Sequence, residues 1–256
     1  LPKKMPVLHF SDNKNITNVD VTINGGQILA GDLTGYTFIS LGSADTVTFG
    51  KGSDGNYLTL SQPASVAFPT AKYTTKDGRA FSYGKLSSKD GRTVYTLGED
   101  IATKYGTIPY RYASVEEYPY AVFLDGKFVV ATNVFGKDAT TSALHNSKAN
   151  GSVILVRRDV VYNEAQYNNL SQTNGAITID LNGHTISMKQ TGGNPWLYAQ
   201  KKTQYDSSVT VINGTLLTGN SPIVRFASWS AGGNYTGGNN FDIIFDGVTI
   251  GVLEGY

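Results

Sequence analysis

The sequence predicts an all-β chain wound as a parallel β-helix, a solenoid of short strands with a β-hairpin region inserted into it. Three observations lead there. Residues 177–186, 209–217 and 241–250 repeat one pattern: a β-branched run, then Asn-Gly or Asp-Gly, then a second apolar run. Their anchors, Asn182, Asn213 and Asp246, recur at intervals of 31 and 33 residues. One such unit cannot bury its own apolar face, so a fixed period implies stacked neighbours. Composition agrees: 29 of 256 residues are Gly, and Asn, Ser and Thr are abundant, which favours strands and turns over helices.

Along the chain, residues 19–29 hold an early copy of the pattern, with Asn24-Gly25 at its corner. Short alternating runs follow at 36–41, 46–49 and 57–60, separated by Gly-, Ser- and Asp-rich turns. Residues 62–118 differ. Pro63, Pro69 and Pro109 interrupt them, and Lys-Asp-Gly recurs at 76–78 and 89–91. Phe81–Tyr83 and Thr93–Leu97 read as hairpin arms, so this segment is expected to be an insertion or small β subdomain. Residues 120–130, with Asp125-Gly126, read as a fifth, partial match to the repeat. Asp138 is expected to cap a short helix reaching His145, and Asn163 to start another through Tyr167. Residues 152–157 form a strand where the period calls for one. The expected organisation is N-terminal rungs over 1–61, the insertion over 62–118, and C-terminal rungs over 119–256.

In such a coil the two-residue alternation at 177–181 and 209–212 sends one face inward and the other outward. Asn and Gly suit the corners because both tolerate positive φ. The competing use of Asn-Gly is a type I′ hairpin, which would give an antiparallel β-sandwich. A constant period favours the coil.

The run Ser152-Val-Ile-Leu-Val-Arg-Arg-Asp159, followed by Ile177-Thr-Ile-Asp-Leu-Asn-Gly-His-Thr-Ile186, resembles right-handed parallel β-helix modules in large surface proteins of gut-dwelling Gram-positive bacteria. The match is good over 152–188, fair over 209–251 and weak before 119. These are mostly core and corner residues, so they speak to fold more than function. The resemblance implies secretion, wall attachment and contact with host or polymer; surface proteins of this kind include immunoglobulin binders.

Lysine and arginine total 21 against 20 acidic residues, with no polybasic run. Nucleic acid and anionic membranes are therefore not expected partners. No apolar stretch approaches the ~20 residues that span a bilayer. Cysteine is absent, which removes disulfides, thiolate metal sites and a Cys nucleophile. The chain opens Leu1-Pro2-Lys3-Lys4 without Met and is expected to be a piece of a longer bacterial protein, secreted or attached to the cell wall.

Polysaccharide lyases and glycoside hydrolases also use β-helices, and their chemistry would rest on carboxylates. Asp180, Asp242 and Asp246 lie on the repeat strands, the first two at outward alternation, and Arg225 is a nearby base. Such chemistry needs carboxylates clustered for calcium or paired across a cleavable bond. The ordinary reading is that these charges only solubilise an exposed face. His9, His145 and His184 lack metal-ligand spacing, and no cofactor or metal is expected.

The expected function is non-catalytic recognition of a host macromolecule, either immunoglobulin, another glycoprotein or a glycan. A structural stalk is the blandest alternative. Trp196 and Trp229 fall 14 and 16 residues after Asn182 and Asn213, offsets that would set them on one flank, about 5 Å apart per rung. With Tyr198 and Tyr235 they form the candidate binding strip, since aromatic rings among Ser, Gly and Asn make adaptable contact surfaces. The Tyr-rich segment 105–120 is a second candidate surface.

Overall fold

The computed structural model describes residues 8–9, 20–30, 39–40, 46–136, 140–164, 168–170, 175–189, 195–200, 207–227 and 241–255. The chain is all-β, with parallel and antiparallel sheets, one short α-helix and one 3-10 turn among these residues. It divides into two compact units: residues 1–102 with 108–113, and 103–107 with 114–256.

The first unit begins with parallel pairs. β1 (Leu8–His9) pairs β4 (Ile39–Ser40), β2 (Asp20–Asn24) pairs β5 (Thr46–Gly50), and β3 (Gln27–Leu29) pairs β6 (Thr59–Pro63). The corner after Asn24 needs glycine twice over. Gly25 has φ 68°, and a Cβ there would lie 2.6 Å from the Gly52 backbone, so two successive corners touch main chain to main chain.

Strand β6 also pairs, antiparallel, with β9 (Arg92–Glu99), and the sheet continues to β8 (Ala80–Lys89) and β7 (Lys72–Thr74). The expected boundary after residue 61 thus falls inside a strand. One sheet carries the chain from parallel to antiparallel pairing, so the hairpins extend the ladder rather than project from it. Asp90 and Gly91, at φ 52° and 72°, make the two-residue turn that Asp-Gly favours. Phe49, Leu60, Phe81, Tyr83 and Leu97 centre the core of this unit. β10 (Ile101–Thr103) and β11 (Gly106–Ile108) then form a small hairpin.

The second unit opens with β12 (Tyr120–Leu124) and β13 (Lys127–Thr132), paired antiparallel. Asp125 and Gly126, at φ 50° and 72°, form their turn. This corrects the reading of 120–130 as a partial repeat: the same dipeptide here closes a hairpin. β12 lies antiparallel to β14 (Val153–Val156), and every later pairing described in this unit is parallel.

Three parallel ladders follow. The first joins β14, β17 (Gly175–Asp180), β20 (Ser207–Thr218) and β22 (Phe241–Val252). The second joins β15 (Val160–Tyr162), β18 (Thr185–Met188) and the later halves of β20 and β22. The third joins β16 (Asn168–Asn169), β19 (Leu197–Gln200) and β21 (Val224–Ala227). The chain visits them in the same order on each pass. Apolar columns run across the rungs: Ile154, Ile179, Val211 and Phe245 in one, Val160, Ile186, Leu216 and Ile250 in another. All but the members on β22 are buried. Full burial of each aliphatic chain contributes about 1.5–3 kcal/mol.

The register departs from the sequence ruler. Asp180 stands opposite Ile212, which stands opposite Asp246. Thr185, Thr215 and Thr249 form the next matched column. Asn182 and Gly183 are therefore extra residues in a longer corner, and Asn182, Asn213 and Asp246 do not share a column. The reason is a tight turn: the His184 N–H donates to the Leu181 carbonyl at 2.8 Å, and Asn182 takes φ 53°.

The short helix α1 spans Ala143–Asn146, capped by Ser142, whose hydroxyl accepts from the His145 N–H at 3.1 Å. The expected cap, Asp138, lies outside the described residues. Asn163 and Glu164 are not helical, 165–167 lie outside the described residues, and β16 follows. No helix among the described residues is long and apolar enough to cross a membrane.

Candidate functional site

Of the carboxylates expected on the repeat strands, Asp180 has the most structured surroundings. Its neighbours Ile179 and Leu181 pack into the core, so the alternation turns Asp180 outward, as expected. Yet its side chain is 0% exposed. The turn between β10 and β11 covers it. Lys104 Nζ lies 2.6 Å from Asp180 Oδ2, and the Tyr105 hydroxyl donates to the same oxygen at 2.9 Å. The Asn182 N–H donates to Oδ1 at 2.9 Å and Asn213 Nδ2 at 3.2 Å. The Tyr105 ring sits 6.1 Å from that of Phe123.

Burial alone would push the Asp180 carboxyl up. The Lys104 ammonium, the Asn182 N–H, the Tyr105 hydroxyl and the Asn213 amide outweigh it and hold the group below the usual carboxylate range. Asp180 in turn raises Lys104. Tyr105 is raised first by burial and then by the neighbouring carboxylate. A carboxylate with both oxygens engaged and no solvent contact is poorly placed to act as an acid, base or nucleophile; it fastens a turn onto a strand. Neither Lys104 nor Tyr105 was expected as its partner. The sequence singles out only Tyr105, as part of a Tyr-rich segment.

Asp242 and Asp246 are exposed on β22. Asp246 shares a column with Asp180 but is two rungs away, about 10 Å. Asp242 lies four residues earlier on the strand, opposite Ser208. Arg225 belongs to a different ladder, on β21. The enzyme-type grouping of Asp180, Asp242, Asp246 and Arg225 is thus corrected: the strands separate these residues. Among the described residues no three His, Asp or Glu side chains converge as metal ligands.

The aromatic strip is also revised. Trp196 is 0% exposed and stacks on Phe135, ring centres 5.2 Å apart, inside the core of the second unit. Its backbone N–H donates to the Pro222 carbonyl, and Leu197 stands opposite Val224. Trp196 therefore precedes β19, whereas Trp229 follows β21. The offsets of 14 and 16 from Asn182 and Asn213 misled because Asp180 and Leu197 are 17 residues apart, whereas their neighbours Ile212 and Val224 are 12 apart. Trp229 and Tyr235 lie outside the described residues.

Tyr198 survives as a surface residue. It is half-buried on β19, and its parallel neighbour on β21 is the exposed Arg225. Leu197 and Val224, one position earlier, face the core, so alternation sends Tyr198 and Arg225 outward. Just beyond them the chain leaves the third ladder at Gln200 and Ala227, which are paired. It rejoins the first ladder at Ser207 and Phe241, also paired. Segments 201–206 and 228–240, between these pairs, lie outside the described residues. The first carries Lys201, Lys202 and Tyr205; the second carries Trp229 and Tyr235.

No family model matches the chain. No curated protein and no solved structure gives a significant match.

Proposed function

We propose that residues 153–252 form a right-handed parallel β-helix and that the chain is a non-catalytic binding module of a secreted or wall-attached bacterial protein. Its partner is a host macromolecule: an immunoglobulin, another glycoprotein or a glycan. The repeated order of the three parallel ladders supports the coil. The motif at 152–188 supports its assignment to bacterial surface proteins.

One observation carries the binding reading. Tyr198 and Arg225 stand side by side on adjacent strands, and alternation turns both away from the core. A tyrosine and an arginine on a rigid sheet are residue types that dominate recognition surfaces.

The test is a binding screen against host secretory proteins and glycans, repeated with Tyr198→Ala, Arg225→Ala and Trp229→Ala. Loss of a captured ligand in these variants, with unchanged thermal unfolding, supports the reading. Capture that survives all three removes this surface as the site. Release of sugar from a polysaccharide would instead favour the lyase or hydrolase alternative. Absence of any ligand and any activity would leave a stalk.

A further inference from the structure

We infer that the Asn-Gly turns are latent sites of spontaneous covalent modification, held unreactive by hydrogen bonds from their glycine N–H groups to a neighbouring strand, and that Asn182 is the site where modification marks the opening of a turn. Asn-Gly occurs at 24–25, 150–151, 174–175, 182–183 and 213–214. The chemistry is intrinsic to the dipeptide. The glycine nitrogen gives up its proton and attacks Cγ of the asparagine, an approach that a side chain on the following residue would obstruct and glycine leaves open. The Cγ–Nδ2 bond breaks and the amide nitrogen leaves as ammonia. Water then opens the five-membered imide at either carbonyl, giving Asp or a β-linked isoaspartyl residue. Only water is consumed, and nothing is oxidised or reduced.

At three of these turns the attacking nitrogen is engaged. The Gly25 N–H donates to the Gly50 carbonyl at 3.1 Å, the Gly151 N–H to the Ala176 carbonyl at 2.8 Å, and the Gly183 N–H to the Asn213 carbonyl at 2.6 Å. A proton donated to a carbonyl is harder to remove. The same bond fixes the peptide plane, so the nitrogen cannot swing toward Cγ. Asn150 is held at both ends, because its own carboxamide oxygen accepts from the Ala176 N–H at 2.8 Å.

Asn182 differs from Asn150. Asn182 and Gly183 are exposed to the water that would open the imide, and a Cβ on Gly183 would meet nothing within 4 Å. The contact with the Asn213 carbonyl is what stands between this dipeptide and reaction. Such contacts open by local fluctuation, so the rate of conversion reports how often Gly183 leaves its acceptor. The product does not return. An isoaspartyl linkage lengthens the backbone by one methylene and sets a carboxylate beside Asp180, whose Oδ1 accepts the Asn182 N–H at 2.9 Å. Two like charges at that distance oppose closure. The inference does not rest on the binding surface at Tyr198 and Arg225.

The test is peptide mapping by mass spectrometry after incubation of the full chain at mildly alkaline pH, folded and in guanidinium chloride. Conversion at Asn24, Asn150 and Asn182 is expected to be at least about tenfold slower in the folded chain. Two variants then loosen one turn. Gly214→Ala drives a Cβ against Leu181 and the His184 carbonyl, and Asp180→Asn removes the charge that strengthens the bond from the Asn182 N–H. Each, while folded, should raise conversion at Asn182 about tenfold and leave Asn24 and Asn150 at the wild-type rate. If Gly214→Ala does not fold, Asp180→Asn carries the comparison. The proposal is overturned if Asn182 converts as fast in the folded chain as in the unfolded one. It is equally overturned if the folded variants convert Asn182 at the wild-type rate, or if all three sites accelerate together.

Discussion

Lys104 Nζ lies 2.6 Å from Asp180 Oδ2, joining residues 76 positions apart. The two partners are unlike. Asp180 is wholly buried, while the Lys104 side chain is 53% exposed. Removing the carboxylate should therefore cost more than removing the ammonium. Asp180→Ala leaves the Tyr105 hydroxyl, the Asn182 N–H and the Asn213 amide without their acceptor and should destabilise the protein by about 2–4 kcal/mol. Lys104→Ala leaves a carboxylate still holding three donors and should cost about 1 kcal/mol. Urea unfolding of both variants checks the order; equal losses would show that the turn is not fastened through Asp180.

The same contact sets a pH dependence. The folded pKa of Asp180 is depressed below its ordinary 3.8. Its contribution is thus fully present above that value and is lost as pH falls through the lower, folded one. Wild type should exceed Asp180→Asn in melting temperature near neutrality, and the gap should close as pH falls through the depressed folded pKa, below 3.8. A gap that stays constant into strong acid would mean that the charge on Asp180 contributes nothing.

Gly214 and Gly183 offer a paired test of the corner geometry. A Cβ on Gly214 would come 2.4 Å from Leu181 Cβ and 2.6 Å from the His184 carbonyl oxygen. Gly183 has φ 81° with open space around it. Gly183→Ala should cost about 1 kcal/mol from backbone strain alone. Gly214→Ala adds a collision inside the stacked corners and should cost about 2–3 kcal/mol or more. Thermal unfolding that ranks them the other way would contradict the register placing Gly214 beside Leu181.

Trp196→Ala should behave as a core substitution. The loss should be about 3–5 kcal/mol, with Trp196→Phe milder because stacking on Phe135 is kept. Any fall in ligand capture by Trp196→Ala should track the unfolded fraction. Capture lost by a fully folded Trp196→Phe would return the indole to the binding surface.

Strand β22 should tolerate what the strands inside its ladder do not. Ile250 is 52% exposed, whereas Leu216, its neighbour in the same column, is fully buried. Leu216→Ala should cost about 2–5 kcal/mol, and Ile250→Lys under about 1 kcal/mol. Denaturant midpoints of the two variants decide this.

Much of the strand content was legible beforehand. Alternation at 177–181 and 209–212 marked which side chains turn inward, and Ile177, Ile179, Val209 and Val211 are indeed buried. Asp-Gly at 77–78 and 90–91 marked hairpins where antiparallel strands occur. Asp125-Gly126 was misread because the dipeptide suits a coil corner and a hairpin turn equally. Asp180 was seen as outward-facing, but a covering turn 75 residues upstream leaves no trace in local pattern.

By itself the sequence determined the period and the inward face, because both follow from short-range alternation and from residues that accept positive φ. Tertiary structure decided which residue stands beside which. Five more residues separate Asp180 from Leu197 than Ile212 from Val224, two of them at the Asn182 corner, and this difference sets Trp196 just before β19 and Tyr198 beside Arg225. Register depends on how long each corner is, and burial on what packs above it. Both are settled only when distant segments meet, and that is where the candidate surface arises.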